Sequence, residues 1–339
     1  MLSGIKMKNP KVTVLMSVYN GEKYLQESID SILEQTFRDF EFVIVNDGSI
    51  DKTAEILKSY KDVRIKIVNN EKNIGLTKSL NKGLKIAKGE YIARMDADDI
   101  SMSERLEKEI EFLESHQEHA VVGTFVKIMN ENSEIIRLWD RPTKDIEIRE
   151  FLKRDNCIVH GSVMIRKSSL HDVGFYDKFM VRSQDYDLWL KLSEKYYLAN
   201  IPEYLYFRRE HNDIIGMKYR EEQLKYVEIA KSNALERQCA NLLEKVKNHC
   251  IDIRKATRLF INVTIEKNMR LRENALEPIL CFKRLKTFKK IVLFCSYRFL
   301  VWILFSKKIN RIMRDFKIEK INLEKAESDL KKIVNRRLI

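Results

Sequence analysis

Cysteine is sparse and unpaired in this 339-residue chain. Cys157, Cys239, Cys250, Cys281 and Cys295 are odd in number and widely spaced, and they form no C-x-x-C pair. That pattern supports neither a disulfide framework nor a zinc site, and a reducing compartment is the simpler reading. Lys6, Lys8 and Lys11 precede the first strand pattern without an apolar h-region, so no secretory leader is expected and the chain is assigned to the cytoplasm. Glycine-rich phosphate loops are missing too: no G-x-G-x-x-G follows the first strand and no G-x-x-x-x-G-K-[ST] occurs anywhere, which argues against a dinucleotide fingerprint and a P-loop. With 44% hydrophobic and 33% charged residues, the composition indicates neither a disordered chain nor a polytopic membrane protein.

Charge is present in excess but unevenly. The net charge is +13, and 25 Lys and Arg stand against 10 Asp and Glu from Ala240 onward, leaving 38 against 40 before it. A neutral body with a basic tail points to a separate electrostatic task for the tail, not to nucleic acid binding by the whole chain.

The body alternates strand and helix patterns. Apolar, β-branched runs at 12–18, 40–45 and 64–68 alternate with helical spacing at 22–35, through Ala54, Ile56 and Leu57, and at 76–87, where Gly89 is expected at a C′ position. This order predicts a mainly parallel, doubly wound α/β sheet whose ligands lie at the carboxyl ends of the strands. The turns Tyr19-Asn20-Gly21, Asp47-Gly48-Ser49 and Asp96-Ala97-Asp98 each close a strand, so they should line one crevice.

The third of these turns is the most informative. Residues 90–95 suit the interior of a sheet, and the strand then stops on Asp96, Asp98 and Asp99, a cluster that calls for a hard cation such as Mn²⁺ or Mg²⁺. Downstream, Ser101 and Glu104 have the spacing of a capping box for a helix carrying Leu106, Ile110 and Leu113. Strands are expected at 120–129, 135–139, 161–165 and 197–207, and a helix at 143–153. A further helix begins at Gln184 with Asp185 and Asp187 in its first turn.

Several separate stretches converge on one resemblance. Val18-Tyr19-Asn20-Gly21, Val45-Asn46-Asp47-Gly48-Ser49 with Asp51 and Thr53, Asn73-Ile74-Gly75-Leu76, Gly89-Glu90-Tyr91-Ile92, Asp96-Ala97-Asp98-Asp99 and Asp185-Tyr186-Asp187-Leu188-Trp189-Leu190 stand in the order and spacing of family 2 glycosyltransferases. Residues 1–215 therefore resemble the GT-A domain of that family, with a nucleotide-sugar half at about 10–118 and an acceptor half at about 119–215. The resemblance implies donor binding by Val18, Tyr19, Asn20, Asp47, Asn73 and Asp96, a DXD pair at Asp96 and Asp98 with Asp98 the more direct ligand of Mn²⁺ or Mg²⁺, and a catalytic base at Asp185. His211 falls where relatives often carry a His that approaches the metal. Gln184 departs from the pattern, which often has Glu there.

The implied chemistry is an inverting single displacement. A hexosyl or hexosaminyl group would pass from a nucleotide-diphosphate donor, UDP before other nucleotides, to a hydroxyl of a glycan or lipid-linked acceptor in polysaccharide biosynthesis. Two other readings compete. A sugar-nucleotide nucleotidyltransferase would carry a glycine-rich, basic first loop, which residues 18–21 lack, and a non-catalytic sugar-nucleotide-binding protein is suggested only by Gln184.

Residues 216–339 form a helical, basic extension by the same reading. Lys289-Lys290 precede an apolar run at 291–305 that is broken by Arg298 and closed by Lys307-Lys308. Fifteen helical residues span about 22 Å, short of the roughly 30 Å hydrocarbon core, so the run is expected to lie on an anionic membrane surface, peripheral on the inner face, or else to pack as a helical hairpin on the rest of the chain or on a second subunit of a homodimer.

Overall fold

The computed structural model describes residues 9–211 and 219–247. The chain divides into two compact units, Met1–Glu244 and Lys245–Ile339, and every described strand belongs to the first.

Strands β1 (Val12–Val18), β2 (Phe40–Asn46), β3 (Ile65–Asn69) and β4 (Tyr91–Met95) are parallel and lie in the order β3-β2-β1-β4. Helices α1 (Leu25–Leu33), α2 (Thr53–Ser59) and α3 (Leu76–Ile86) make the crossovers. β1 and β2 are covered on both faces, which is why they read as continuous apolar runs instead of alternating ones. Past β4 the sheet becomes mixed. β5 (Ile100–Ser101), β6 (His119–Met129), β8 (Met164–Arg166) and β9 (Tyr197–Arg209) continue it in the order β4-β8-β6-β9-β5, and β7 (Ile135–Trp139) pairs with β6.

Successive residues of β1 point to opposite faces and so build two cores. Val12, Val14 and Met16 meet Leu25, Ile29 and Ile32 of α1 and Leu106, Ile110 and Leu113 of α4 (Arg105–Ser115). Leu15, with Val43 and Val45, packs in the cluster that holds Leu80 and Leu84 of α3 and Leu188, Trp189 and Leu192 of α7 (Gln184–Ser193). α5 (Asp145–Leu152) and α6 (Lys167–Val173) add Ile148, Leu152 and Leu170 to that second cluster.

Three local expectations change. Gly89 is not a left-handed helix stop, because α3 is capped by Ala87 in an extended conformation. It is a point of close approach instead: a Cβ there would lie 2.3 Å from the Thr13 backbone nitrogen. Ser101 and Glu104 form no capping box. Ser101 sits in β5, its hydroxyl accepts from Arg105 Nε at 2.7 Å and from Gln35 Nε2 at 3.1 Å, and Glu104 at the N-cap makes no capping hydrogen bond. The strand expected at 161–165 starts later, because His160–Ser162 is a 3₁₀ turn and pairing with β4 begins at Met164.

The first unit also extends past 215. Helix α8 (Arg220–Lys247) buries Ala230 in the second core, Arg237 donates to Glu194 at 2.8 Å, and Ser183 donates to the Gln223 carbonyl at 3.1 Å. The expectations for 289–308 lie outside the described residues. Among the described residues, no helix is long and apolar enough to cross a membrane.

One buried acid leads to a prediction about stability. Glu109 is fully buried in α4, its carboxylate 3.9 Å from Arg105 and without a hydrogen-bond partner, and burial pushes its carboxyl up to about 8. The folded-state value lies above the ordinary one, so its contribution is fully present below the unfolded value near 4.5 and is lost as pH rises to about 8. Glu109→Gln should therefore flatten the fall in melting temperature between pH 5 and pH 8 and be the more stable protein at the alkaline end, measured by thermal denaturation across pH.

Candidate active site

The first three strand ends are sewn together by side chains acting on backbone. Asn20, held in the left-handed region at φ 54°, accepts from the Ile50 N–H at 3.0 Å, while its own N–H donates to Ser49 Oγ at 3.0 Å. The Gly21 N–H donates to Thr53 Oγ1 at 2.8 Å and the Glu22 N–H to Asp51 at 3.0 Å. Asp47 is 2% exposed; Oδ1 accepts from Asn70 Nδ2 at 2.8 Å and the Ile74 N–H at 2.9 Å, and Oδ2 from the Gly75 N–H at 2.9 Å. Asn73 also accepts from the Gly75 N–H, at 3.0 Å. Val18 is buried at the end of β1, where its carbonyl accepts from the Asp47 N–H at 2.8 Å, and Tyr19 projects outward, 46% exposed. The structure thus brings Val18, Tyr19, Asn20, Asp47 and Asn73 into one set of linked loops.

The acidic turn after β4 is held by three buried arginines. Arg94 ion-pairs with Asp96 and donates to the Leu15 carbonyl at 3.3 Å. Arg105 donates to the carbonyls of Arg94 and Gly161, each at 3.1 Å. Arg209, 1% exposed, gives its backbone N–H to Asp99 at 2.8 Å, Nε to the Asp98 carbonyl at 2.9 Å, and Nη2 to Glu27 at 2.6 Å. Burial would raise the Asp96 carboxyl, but the Arg94 guanidinium beside it, helped by Arg208, holds it below the ordinary range. Asp99 is pushed well up by burial and by the charges of Asp98 and Asp96.

Asp98 keeps its carboxylate accessible. Its Oδ2 lies 3.0 Å from His211 Nε2, and the pair is the donor set the turn offers to a cation. One carboxylate and one imidazole suit Mn²⁺ or Mg²⁺, ions that take few protein ligands and complete their shell with water and phosphate oxygens. Among the described residues, no group of three or more His, Cys, Asp or Glu side chains is arranged to hold a metal.

Asp185 and Asp187, two residues apart on α7, have opposite environments. Asp187 is 1% exposed and bridges Lys191 at 2.8 Å and Arg237 of α8 at 3.7 Å, a structural role. Asp185 is half-buried, accepts from Asn156 Nδ2 at 2.8 Å, and has its carboxyl raised by burial, with Asp96 near enough to add to the effect. Gln184 is buried at the start of α7, behind Ser183 in a left-handed conformation.

Sequence reasoning missed several neighbours of these groups. His160 lies 2.8 Å from the Tyr176 hydroxyl, and burial, then Arg94, drives its imidazole down to about 3, so it stays neutral. Tyr206 accepts from the Asp96 N–H at 3.2 Å. Gly161 packs so tightly that a Cβ would meet the Tyr206 hydroxyl at 2.1 Å and Asp96 Oδ2 at 2.8 Å. Only Gly161 carried a signal: a lone glycine opening a strand pattern marks a close approach.

The two acids that anchor the crevice should respond differently to removal. Asp47→Ala removes an acceptor from three donors, of which the Ile74 N–H has no other, and should cost about 2 kcal/mol of unfolding free energy, whereas Asp98→Ala, one-third exposed, should cost less than about 1 kcal/mol. Denaturant titration of both variants measures the difference.

Comparison with known proteins gives the family and the fold. The model of the family described as Glycosyl transferase family 2 matches residues 13–174. An uncharacterized glycosyltransferase of Methanocaldococcus jannaschii is 40% identical over 206 residues, covering 59% of this chain and 71% of that protein. The putative glycosyltransferase EpsE of Bacillus subtilis is 38% identical, covering 60% and 74%, and the amylovoran biosynthesis glycosyltransferase AmsE of Erwinia amylovora is 34% identical, covering 61% and 79%. Among solved structures, S. aureus TarS 1-349 in complex with UDP-GlcNAc has a TM-score of 0.54 at 18% identity, covering 76% of this chain and 80% of that one, so the fold is shared. The matched family, the level of identity and the extent of coverage place this chain in glycosyltransferase family 2.

Proposed function

We propose that the protein transfers a hexosyl or hexosaminyl group from a UDP-sugar to an acceptor hydroxyl by a single, inverting displacement, assisted by Mn²⁺ or Mg²⁺. The observation that carries this reading is the accessible Asp98–His211 donor set in the acidic turn, whose Asp96 lies near enough to the half-buried, hydrogen-bonded Asp185 of α7 to act on its carboxyl. The TarS complexes with UDP and UDP-GlcNAc support the choice of donor.

Each group then has a task. The loops carrying Tyr19, Asn20, Asp47 and Asn73 receive the nucleoside, with Asp47 acting through the 70–75 loop it fixes. Asp98 and His211 would hold the cation, which neutralises the charge that develops on the leaving diphosphate. Asp96, fixed by Arg94, orients the donor sugar. Asp185 takes the proton of the acceptor hydroxyl, and its raised carboxyl makes it a stronger base than an ordinary aspartate. Glycan-building relatives such as AmsE support a saccharide acceptor. The basic region after residue 247 is proposed to seat the enzyme on anionic membrane, and liposome sedimentation that is indifferent to anionic lipid at low salt would contradict that part.

Asp185→Asn keeps the shape and removes the base. Transfer should fall by about 10²–10⁴-fold while UDP affinity, read by calorimetry with Mn²⁺, changes little. Because the base must be ionised and its carboxyl is raised, wild-type turnover should fall with decreasing pH at a higher pH than an ordinary aspartate would give. Turnover by Asp185→Asn equal to wild type would assign the base elsewhere.

A further inference from the structure

The β6–β7 hairpin carries a cluster of cations that the reaction as described does not use. The register aligns Arg137 of β7, Ile128 of β6 and Arg208 of β9 in one row, and Trp139, Val126 and Tyr206 in the row two residues away. Residues two apart on a strand share a face, so Arg137, Arg208 and Trp139 stand on the face from which the Tyr206 hydroxyl reaches Asp96. Arg141 follows directly after β7. Three guanidiniums gather on one indole: Arg141 at 4.0 Å, Arg208 at 5.3 Å and Arg137 at 5.7 Å from the Trp139 ring centre.

Two of these cations have protein anions nearby but none in contact: Arg208 feels the charges of Asp96 and Asp99, and Arg141 that of Asp155. Arg137 pairs with Glu210 at 2.8 Å, but the guanidiniums of Arg141 and Arg208 have no ion pair and no hydrogen-bond acceptor among the described residues. Arg141 Nε is buried without a partner. A half-buried guanidinium beside two like charges is costly unless a ligand anion completes it. The arginines at the acidic turn differ in degree: Arg94 Nε and Arg105 Nη2 are also buried without a partner, but Arg94, Arg105 and Arg209 spend their other donors on carbonyls and carboxylates, which Arg141 and Arg208 do not.

Position decides which substrate Arg141 faces, and Arg208 shares its indole. Asn200 Nδ2 donates both to the Pro142 carbonyl at 2.7 Å and to the Cys157 carbonyl at 3.3 Å, so one amide clamps the residue after Arg141 against the residue after Asn156. Asn156 is the group that holds Asp185. Arg141 therefore stands on the side of the proposed base, while Asn20, Asp47 and Asn73 close strands of the β3-β2-β1 half of the sheet.

We propose that Arg141 and Arg208, mounted on Trp139, form a subsite for a phosphoryl group carried by the acceptor. The planar guanidinium fork matches phosphate oxygens, and stacking on the indole fixes it at low entropic cost. This inference rests on the glycosyl-transfer reading, and it adds that the acceptor is anionic close to the hydroxyl that reacts.

The test uses full-length protein saturated with UDP and Mn²⁺, into which phenyl phosphate, a monoester that binds divalent metal weakly, is titrated by calorimetry. Saturable binding is expected, weakened about tenfold or more in the Arg141→Gln/Arg208→Gln double variant and largely restored in the corresponding double Lys variant. UDP affinity, measured on the same preparations, should be unchanged, which also reports an intact fold. Absence of UDP binding in the wild type would overturn the glycosyl-transfer reading and this inference with it. Normal UDP binding without phenyl phosphate binding, or with equal binding by the double Gln variant, would overturn the subsite alone. Phosphatidylcholine vesicles with and without phosphatidic acid identify the carrier. Displacement of phenyl phosphate only by the phosphatidic acid vesicles supports a lipid-borne phosphate, and binding of phenyl phosphate that neither vesicle displaces supports a phosphate on a soluble glycan.

Discussion

Three carboxylates within four residues, at the end of a buried strand, are the constraint around which the chain is built. Asp96, Asp98 and Asp99 repel one another, and at a sheet edge that repulsion is poorly screened by water. The fold answers with Arg94, Arg105 and Arg209, each almost wholly buried and each drawn from a different element. Arg209 has the widest reach, since it joins the acidic turn to Glu27 of α1 and to the β6–β7 turn through Ser133 at 2.9 Å. Because these cations bind mainly backbone carbonyls and the flanking acids, Asp98 is left with its carboxylate facing outward beside His211. The same ties that stabilise the turn therefore set which of the three acids can meet a ligand.

The two halves of the sheet divide the work. Parallel β1, β2 and β3 end in loops that bond one another through Asn20, Asp47, Asp51 and Thr53. The mixed half presents residues whose charge is left available: Asp98, Asp185 and the arginines on Trp139. On the proposed function the linked loops are the preorganised donor side, Asp98 faces the leaving diphosphate, and Asp185 with the arginines on Trp139 faces the acceptor.

Much of the fold was legible because burial writes itself into local pattern. Continuous β-branched runs marked β1 and β2, and helical spacing marked α1, α3 and α4. The capping box failed for a tertiary reason: the Ser101 hydroxyl, suited by spacing to the helix start, is taken by Arg105 and Gln35. Gly89 was recognised as special, but the need is the Thr13 backbone of a neighbouring strand and not a helix terminus. At the site, the residues on strand ends were readable, whereas Asn156, His160 and Arg209 were not. Their partners Asp185, Tyr176 and Asp99 lie 29, 16 and 110 residues away, and no local spacing encodes such contacts. Local pattern does not separate Asp185 from Asp187, which only the resemblance ranked; in the structure Lys191 and Arg237 take Asp187, and Asn156 holds Asp185.

The central claim is that the acidic edge, through Asp98 and His211, is where nucleotide and cation meet. Anomalous scattering from manganese in crystals grown with UDP and Mn²⁺ tests it directly. The account predicts a manganese peak at about 2.1 Å from an Asp98 carboxylate oxygen and from His211 Nε2, with the uridine against the loops of Asn20, Asp47 and Asn73. Manganese bound away from Asp98, or UDP held outside the crevice formed by those loops, would contradict it.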